Sequence, residues 1–537
     1  MLAVILLLCG ANYIWAQSAI NDIPEKVDAA DATITEMGHA TITMKREVVT
    51  DPLTHLTDTI VTIENIEWNT EAGTAKKRMA QRNAANGSDF EYMDQNWAQD
   101  MQWFKFNYPS INADGEEVVL SSMACMPDGD NEIHNVNNII VGCHITITSD
   151  KECPTSYDGT FSAALSDVRF IMSFAGSGIN PFSHDTSQPH VNLVILPDYE
   201  GYGVTKTNAH PYLYQELTAR QVVDAVRYGK ALYETSSAVN SIRHPFRSGW
   251  RTITLGYSQG GSVALATQRF IEQNGLTDEL HLAGSICADG PYDLMSTLMY
   301  YVANDSEGKP MSMPVVLPLI LKGMCDSNPY MKNHQVSDYL SERFLETGII
   351  DWITSKNMST DDITDEWKNL YRNGKNGDSN YFREVLTSDG KAYLNKILTE
   401  EGYNYFKSLY DTNKNTYTSA TGIPLPTHRG LMEDLHFALE SNNVTMGWQP
   451  QHAIFLYHSY NDTVVPEKNR ERACNTIGDW VIRVKGSGND HVNEGTSFFF
   501  SNSEKADRCV EILAGSNIHQ TVSDVTSMKS GFSYLDQ

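Results

Sequence analysis

One serine stands out by its surroundings. The run Gly256-Tyr257-Ser258-Gln259-Gly260-Gly261 follows the apolar stretch TITL and precedes the helical pattern SVALATQRF. A chain that leaves a strand and enters a helix within one residue needs small neighbours, and the serine at such an elbow is held with its hydroxyl exposed. A serine hydroxyl is a weak nucleophile until a base takes its proton, and that base needs a carboxylate to orient it. At an elbow of this kind the partners follow in the order acid, then histidine. After the stretch AIFLY comes His458-Ser459-Tyr460-Asn461-Asp462-Thr463-Val464-Val465-Pro466, and after WVIRV comes Gly486-Ser487-Gly488-Asn489-Asp490-His491. Asp462 and His491 are therefore the candidate acid and base, with Asp490 the alternative acid. The chemistry implied is transfer of an acyl group to Ser258 and then to water. The oxyanion of such a reaction needs two donors. One is the backbone N–H of Gln259; the other is sought after the stretch IIVGCHITI, at Thr148, Ser149 or Asp150.

These residues have to be carried by a scaffold. Near-continuous apolar runs at 139–147, 191–196, 252–255, 280–286, 453–457 and 481–484 suit strands buried on both faces. Helical patterns lie between several of them: Val222, Val226, Gly229 and Tyr233 share a face, and the pattern from Val263 to Ile271 stops at Gly275. The alternation predicts an α/β fold with a mostly parallel sheet covered on both sides. Two further strands, 103–108 and 117–125, flank the turn Asn112-Ala113-Asp114-Gly115 and predict a hairpin. Residues 31–66 alternate like strands outside the catalytic core, and 69–95 read as helix or loop. The strand and helix alternation stops between 300 and 427, which reads as an inserted helical cap. Its apolar run MSMPVVLPLILKGM holds Pro314 and Pro318, which would distort a helix, and reads equally as an acyl-binding lid or as the cap's own interior. The expected division is 1–16 signal peptide, 17–100 β-rich segment, 101–299 and 428–537 catalytic core, and 300–427 cap.

Residues 1–16, MLAVILLLCGANYIWA, are apolar, uncharged and too short to span a bilayer, which implies export with cleavage before Gln17. Export would permit disulfides among Cys125, Cys143, Cys153, Cys325, Cys474 and Cys509, while Cys287 lies within a strand pattern as a buried hydrophobe. A formal charge of −27 disfavours phosphate backbones and anionic lipid surfaces, so nucleic acid is not expected as a partner; the expected partner is a small-molecule or lipid-like ester substrate, with no stable membrane span. His184, Asp185 and His190 lack any zinc-site spacing, and no glycine-rich nucleotide fingerprint follows a strand; no metal and no cofactor is implied.

Taken together these residues resemble the α/β-hydrolase superfamily, and within it the secretory lipase family typified by the fungal lipase A enzymes. The likeness spans about 103–513 and rests on the elbow, on Pro197-Asp198-Tyr199-Glu200-Gly201 and on Asp150-Lys151-Glu152-Cys153-Pro154-Thr155-Ser156-Tyr157. It implies an esterase or lipase in which Asp150 helps build the oxyanion hole. Gln259 stands where the lipases are expected to carry glycine. Two other functions fit the same residues: a serine peptidase of this fold, with Glu200 the one loop acid to meet an amino terminus, and a non-catalytic binding protein with a hydrolase-like fold.

Overall fold

The apolar runs of the sequence come together side by side in a computed structural model, which describes residues 19–50, 57–69, 97–127, 135–159, 166–175, 191–239, 243–418, 423, 425–501 and 503–532. Four strands come first: β1 (Thr33–Thr50), β2 (Thr57–Asn69), β3 (Trp97–Ile111) and β4 (Glu117–Pro127). Six follow: β5 (Val136–Cys143), β6 (Val191–Pro197), β7 (Phe246–Tyr257), β8 (Leu282–Ala288), β9 (Ala453–His458) and β10 (Val481–Lys485). They form one sheet in the order β10-β9-β8-β7-β5-β6-β4-β3-β1-β2. Strands β5 to β10 are parallel and β1 to β4 antiparallel. Every residue of β5, β6, β8 and β9 is buried, as strands covered on both faces require.

The longer helices are α1 (Ser166–Ser173), α2 (Gln215–Thr235), α3 (Gln259–Gln273), α4 (Leu294–Ser306), α5 (Val316–Ser327), α6 (Ile349–Ser355), α7 (Thr360–Asn373), α8 (Glu400–Thr418), α9 (Leu431–Ser441), α10 (Lys468–Ile477), α11 (His491–Thr496), α12 (Ser503–Ala514) and α13 (Val522–Phe532). Alternate strand residues feed two cores. Ile139, Val141, Ile195 and Leu456 pack with Val222 and Val226 of α2 and Val263 of α3. Ile140, Leu196, Ile253 and Phe455 pack with Val168 and Ile171 of α1 and Leu513 of α12. A third core is built by α4 to α9, and it includes Tyr212 and Leu213 of the loop before α2 and Val464 and Val465 of the loop after β9. Chain order reverses at β5, since β6 lies on one side of it and β7 on the other. A crevice forms at the carboxyl ends of the strands where an open sheet reverses in this way.

The hairpin of β3 and β4 pairs from Met101↔Pro127 to Ile111↔Glu117. Asn112 Oδ1 accepts the amides of Asp114 and Glu116 at 2.9 and 3.0 Å, and Gly115 supplies the positive φ. Three expectations change. The amino-terminal strands do not stand apart from the catalytic core: β1 pairs with β3, and Trp68 of β2 stacks on Trp103 at 4.3 Å. Pro318 does not distort α5, because it lies in the first turn, where no intrahelical N–H is needed. The seven described cysteines are all free, six buried and Cys474 half-buried. The proposed signal segment 1–16, the stretch 70–95, and His184, Asp185 and His190 lie outside the described residues.

Leu317 and Ile320 of α5 are 6% and 9% exposed and belong to the third core. Replacing Leu317 with serine deletes buried methyl groups and inserts a hydroxyl without a partner. The expected loss is about 2–5 kcal/mol in urea denaturation; an unchanged midpoint would mean that Leu317 faces substrate and not the cap interior.

Candidate active site

The elbow forms where the sheet order reverses. Ser258 follows β7 with φ 56° and ψ −122° and precedes the first residue of α3. Its amide donates to the Ala288 carbonyl at 2.8 Å, which fixes the turn to the end of β8. Two glycines permit it. A Cβ on Gly256 would stand 2.3 Å from the Gly260 carbonyl oxygen, and one on Gly260 would stand 2.0 Å from the Cys143 carbonyl oxygen at the end of β5. No side chain survives at those distances. Tyr199 after β6 and Asp289 after β8 also have positive φ, 63° and 42°, so three strands end in strained non-glycine residues around one crevice.

Three residues selected from the sequence meet there. Ser258 Oγ lies 2.8 Å from His491 Nε2, and His491 Nδ1 lies 2.5 Å from Asp462 Oδ2. With Nδ1–H donating to the carboxylate, Nε2 is left to accept the serine proton. Asp462 and His491 are buried and Ser258 is half-buried. The other Asp462 oxygen accepts the amides of Val464 and Val465, each at 2.8 Å. Burial disfavours the imidazolium, but the charge of Asp462 and its hydrogen bond outweigh this, joined by Asp289 and Asp490, and the His491 pKa is raised. Asp490 instead caps α11 through the Asn493 amide at 3.2 Å. Such a line of groups can remove a proton from Ser258 as its oxygen attacks and return it to a leaving group.

Gln259 and Asp150, the expected oxyanion donors, fare differently. Gln259 opens α3, so its amide has no intrahelical acceptor. Its side chain is buried and anchored: Nε2 donates to His210 Nε2 at 3.2 Å, and His210 Nδ1 donates to the Glu200 carbonyl at 2.7 Å. Burial lowers the His210 pKa to about 3, which keeps the ring neutral and able to accept. Asp150 is bonded through both its amide and its carboxylate. Its amide donates to the Lys356 carbonyl at 2.9 Å, and its carboxylate accepts the Gly203 amide at 2.8 Å. The amides of Thr148 and Ser149 both donate to Glu152, at 3.3 and 3.1 Å. All three candidate donors of this loop are committed elsewhere. The residues that border the elbow are Cys143 and His144, whose carbonyl oxygens lie 2.0 and 2.8 Å from where a Gly260 Cβ would stand.

Several residues around the site were not singled out in the sequence. Glu494, buried in the first turn of α11, accepts the amides of Ser487 and Asn489 at 2.7 and 2.9 Å and the hydroxyl of Tyr457. It thereby clamps the loop that presents His491. An acid one helical turn after a candidate histidine was the signal available. Lys356, after α6, donates its ammonium to the carbonyls of Lys206 and Asn208, and Thr148 Oγ1 donates to the Met358 carbonyl at 2.7 Å. Burial lowers the Lys356 pKa to about 8. Glu200, the loop acid already singled out in the sequence, is buried and accepts from Gln221 and Asn208 at 2.8 and 3.3 Å. Among the described residues no group of histidine, cysteine and acidic side chains is placed to hold a metal, and no helix is long and apolar enough to cross a membrane.

No protein-family model and no curated protein matches the chain. Solved structures do. A Legionella pneumophila protein named as a hydrolase aligns with a TM-score of 0.53 and 16% identity over 77% of this chain and 90% of that one. The rice cell wall degrading esterase LipA of Xanthomonas oryzae aligns with a TM-score of 0.51 and 21% identity over 78% and 91%. Candida antarctica lipase A aligns at 0.43 and 11%, over 73% of each chain, too loosely to carry an argument. At these identities the likeness establishes the architecture: the chain has the α/β-hydrolase fold.

Glu494 accepts from three donors where the loop that presents His491 begins its helix. Replacing it with alanine leaves two amides and a phenol without their acceptor, and the expected cost is about 2–4 kcal/mol in urea denaturation. A variant as stable as the parent would remove Glu494 from this role.

Proposed function

We propose that the chain is an exported serine hydrolase that cleaves carboxylic esters through an acyl-enzyme on Ser258. The observation that carries the reading is the unbroken line from Ser258 Oγ through His491 to Asp462, at 2.8 and 2.5 Å. Ser258 Oγ attacks the carbonyl carbon while His491 Nε2 takes its proton. The tetrahedral oxyanion is met by the Gln259 amide at the amino end of α3. His491 returns the proton to the departing alcohol oxygen. A water then repeats the sequence, giving the acid and free Ser258. Asp462 keeps Nδ1 protonated and stabilises the imidazolium. An ester is preferred over a peptide because Glu200, the acid a peptidase would present to an amino terminus, is buried and bonded to Gln221 and Asn208. Export rests on residues 1–16, and the secreted protein is expected to begin at Gln17 when its amino terminus is sequenced.

Turnover of p-nitrophenyl butyrate, set against a peptide p-nitroanilide, tests the reading. Ser258→Ala should retain the parent's unfolding midpoint and lose on the order of 10⁶-fold in kcat. A Ser258→Ala protein with more than a few per cent of parental activity would overturn the assignment, and faster turnover of the anilide would favour a peptidase.

The pH dependence follows from the raised His491 pKa. The base acts only when neutral, so kcat/KM should climb with pH through a value above the usual 6.5 or so for histidine. Asp462→Asn removes the carboxylate that holds the proton on. It should shift that limb to lower pH and slow kcat by on the order of 10⁴-fold. An acid limb that stays in place in the variant would mean Asp462 does not act on His491.

A further inference from the structure

The helix that opens the insertion is bonded to the loop that carries the acid. Tyr301 of α4 is buried, and its hydroxyl donates to the Val464 carbonyl at 2.5 Å. The carbonyl of Val464 and the amide of Val465 belong to one peptide unit, which is planar and rigid. That amide donates to Asp462 Oδ1 at 2.8 Å, and Asp462 Oδ2 reaches His491 Nδ1 at 2.5 Å. A hydrogen bond on one end of the plane therefore sets the direction of the donor on its other end.

The contact is not isolated. The Asp293 amide donates to Asn469 Oδ1 at 2.8 Å, Asn469 Nδ2 donates to Thr297 Oγ1 at 2.9 Å, and Arg472 Nε donates to Asp293 Oδ2 at 3.0 Å. The start of α4 is thus joined to α10, which follows the acid loop. Val464 and Val465 are packed into the cap's apolar core rather than into either core of the sheet. The acid loop is held from the cap side, and a lid that swung away as a whole would take this support with it.

We propose that Tyr301 is a positioning residue for Asp462, holding the Val464–Val465 peptide so that its amide stays on the carboxylate, and that α4 is a fixed splint of the active site rather than part of a moving lid. This rests on the reading of Ser258, His491 and Asp462 given above. Tyr301 touches no reacting atom, so its removal should slow the chemical step and leave substrate affinity alone.

The test is a double-mutant cycle on the full chain with p-nitrophenyl butyrate. Tyr301→Phe keeps the ring and removes one donor. Alone it should lower kcat about 10-fold with KM within about 2-fold, and in the Asp462→Asn background it should change kcat by less than about 2-fold, because the carboxylate it serves is gone. Parental kcat in Tyr301→Phe, or the same loss in both backgrounds, would overturn the proposal. Asp462→Asn with parental activity would instead overturn the triad reading beneath it. Thr297→Val removes the separate contact of α4 with Asn469 and is read in the same cycle; should Tyr301→Phe not fold, parental kcat in Thr297→Val, or the same loss in both backgrounds, would overturn the splint role of α4.

Discussion

The backbone of Ser258 sits at φ 56°, which costs a residue with a Cβ about 1–3 kcal/mol and persists only where its surroundings leave no alternative. Those surroundings are the ends of three neighbouring strands. The carbonyl of Cys143 closes against Gly260, the carbonyl of Ala288 accepts the Ser258 amide, and Gly256 admits the first turn of α3. The turn leaves Ser258 Oγ on His491 and the Gln259 amide at the free end of a helix. The two cores on either side of the sheet keep these strand ends in register, so packing far from the serine maintains the geometry at it.

The same economy governs the charges. Asp462, Glu494, Glu200 and Asp150 each lie at or near the crevice and are held chiefly by amide donors. Asp462 takes two backbone amides and the imidazole; Glu494 takes two backbone amides and a phenol. Amides fix an oxygen in direction without neutralising its charge, which leaves Asp462 negative where His491 has to become positive. The insertion takes part in this. Residues 356–358 bond to the loop at 148–150 and to 206–208, and α4 bonds to the acid loop. Hydrogen bonds alone thus join the cap to three loops around the active site.

Much of the core was legible because its signals are local. The elbow, the apolar strand runs, the Asn112–Gly115 turn, and the placement of Asp462 and His491 in loops after strands are all written within about ten residues of chain. What was not legible depends on distant partners. That β1, and β2 through it, join the main sheet is a matter of β1 pairing with β3, more than 50 residues away. Asp150 carried a motif that resembles the lipase pattern, yet its amide faces Lys356, 206 positions later in sequence. Tyr301 lies 163 positions from its acceptor, and His210 lies 49 from Gln259. The run at 311–324 reads equally as lid or interior, since apolar residues carry no mark of what they face; the structure buries Leu317 and Ile320 in the cap core.

The central claim is that Ser258 becomes covalently bonded to substrate with His491 as its base. It is tested most directly by incubating the protein with diethyl p-nitrophenyl phosphate and mapping the adduct by mass spectrometry. Ser258 Oγ would displace p-nitrophenolate from phosphorus and keep the diethylphosphoryl group, because water cannot readily complete the second step. One adduct per chain is expected, on the peptide that contains Ser258, formed in the parent and far more slowly in His491→Ala. An adduct on another residue, or undiminished ester turnover with Ser258 unmodified, would contradict it.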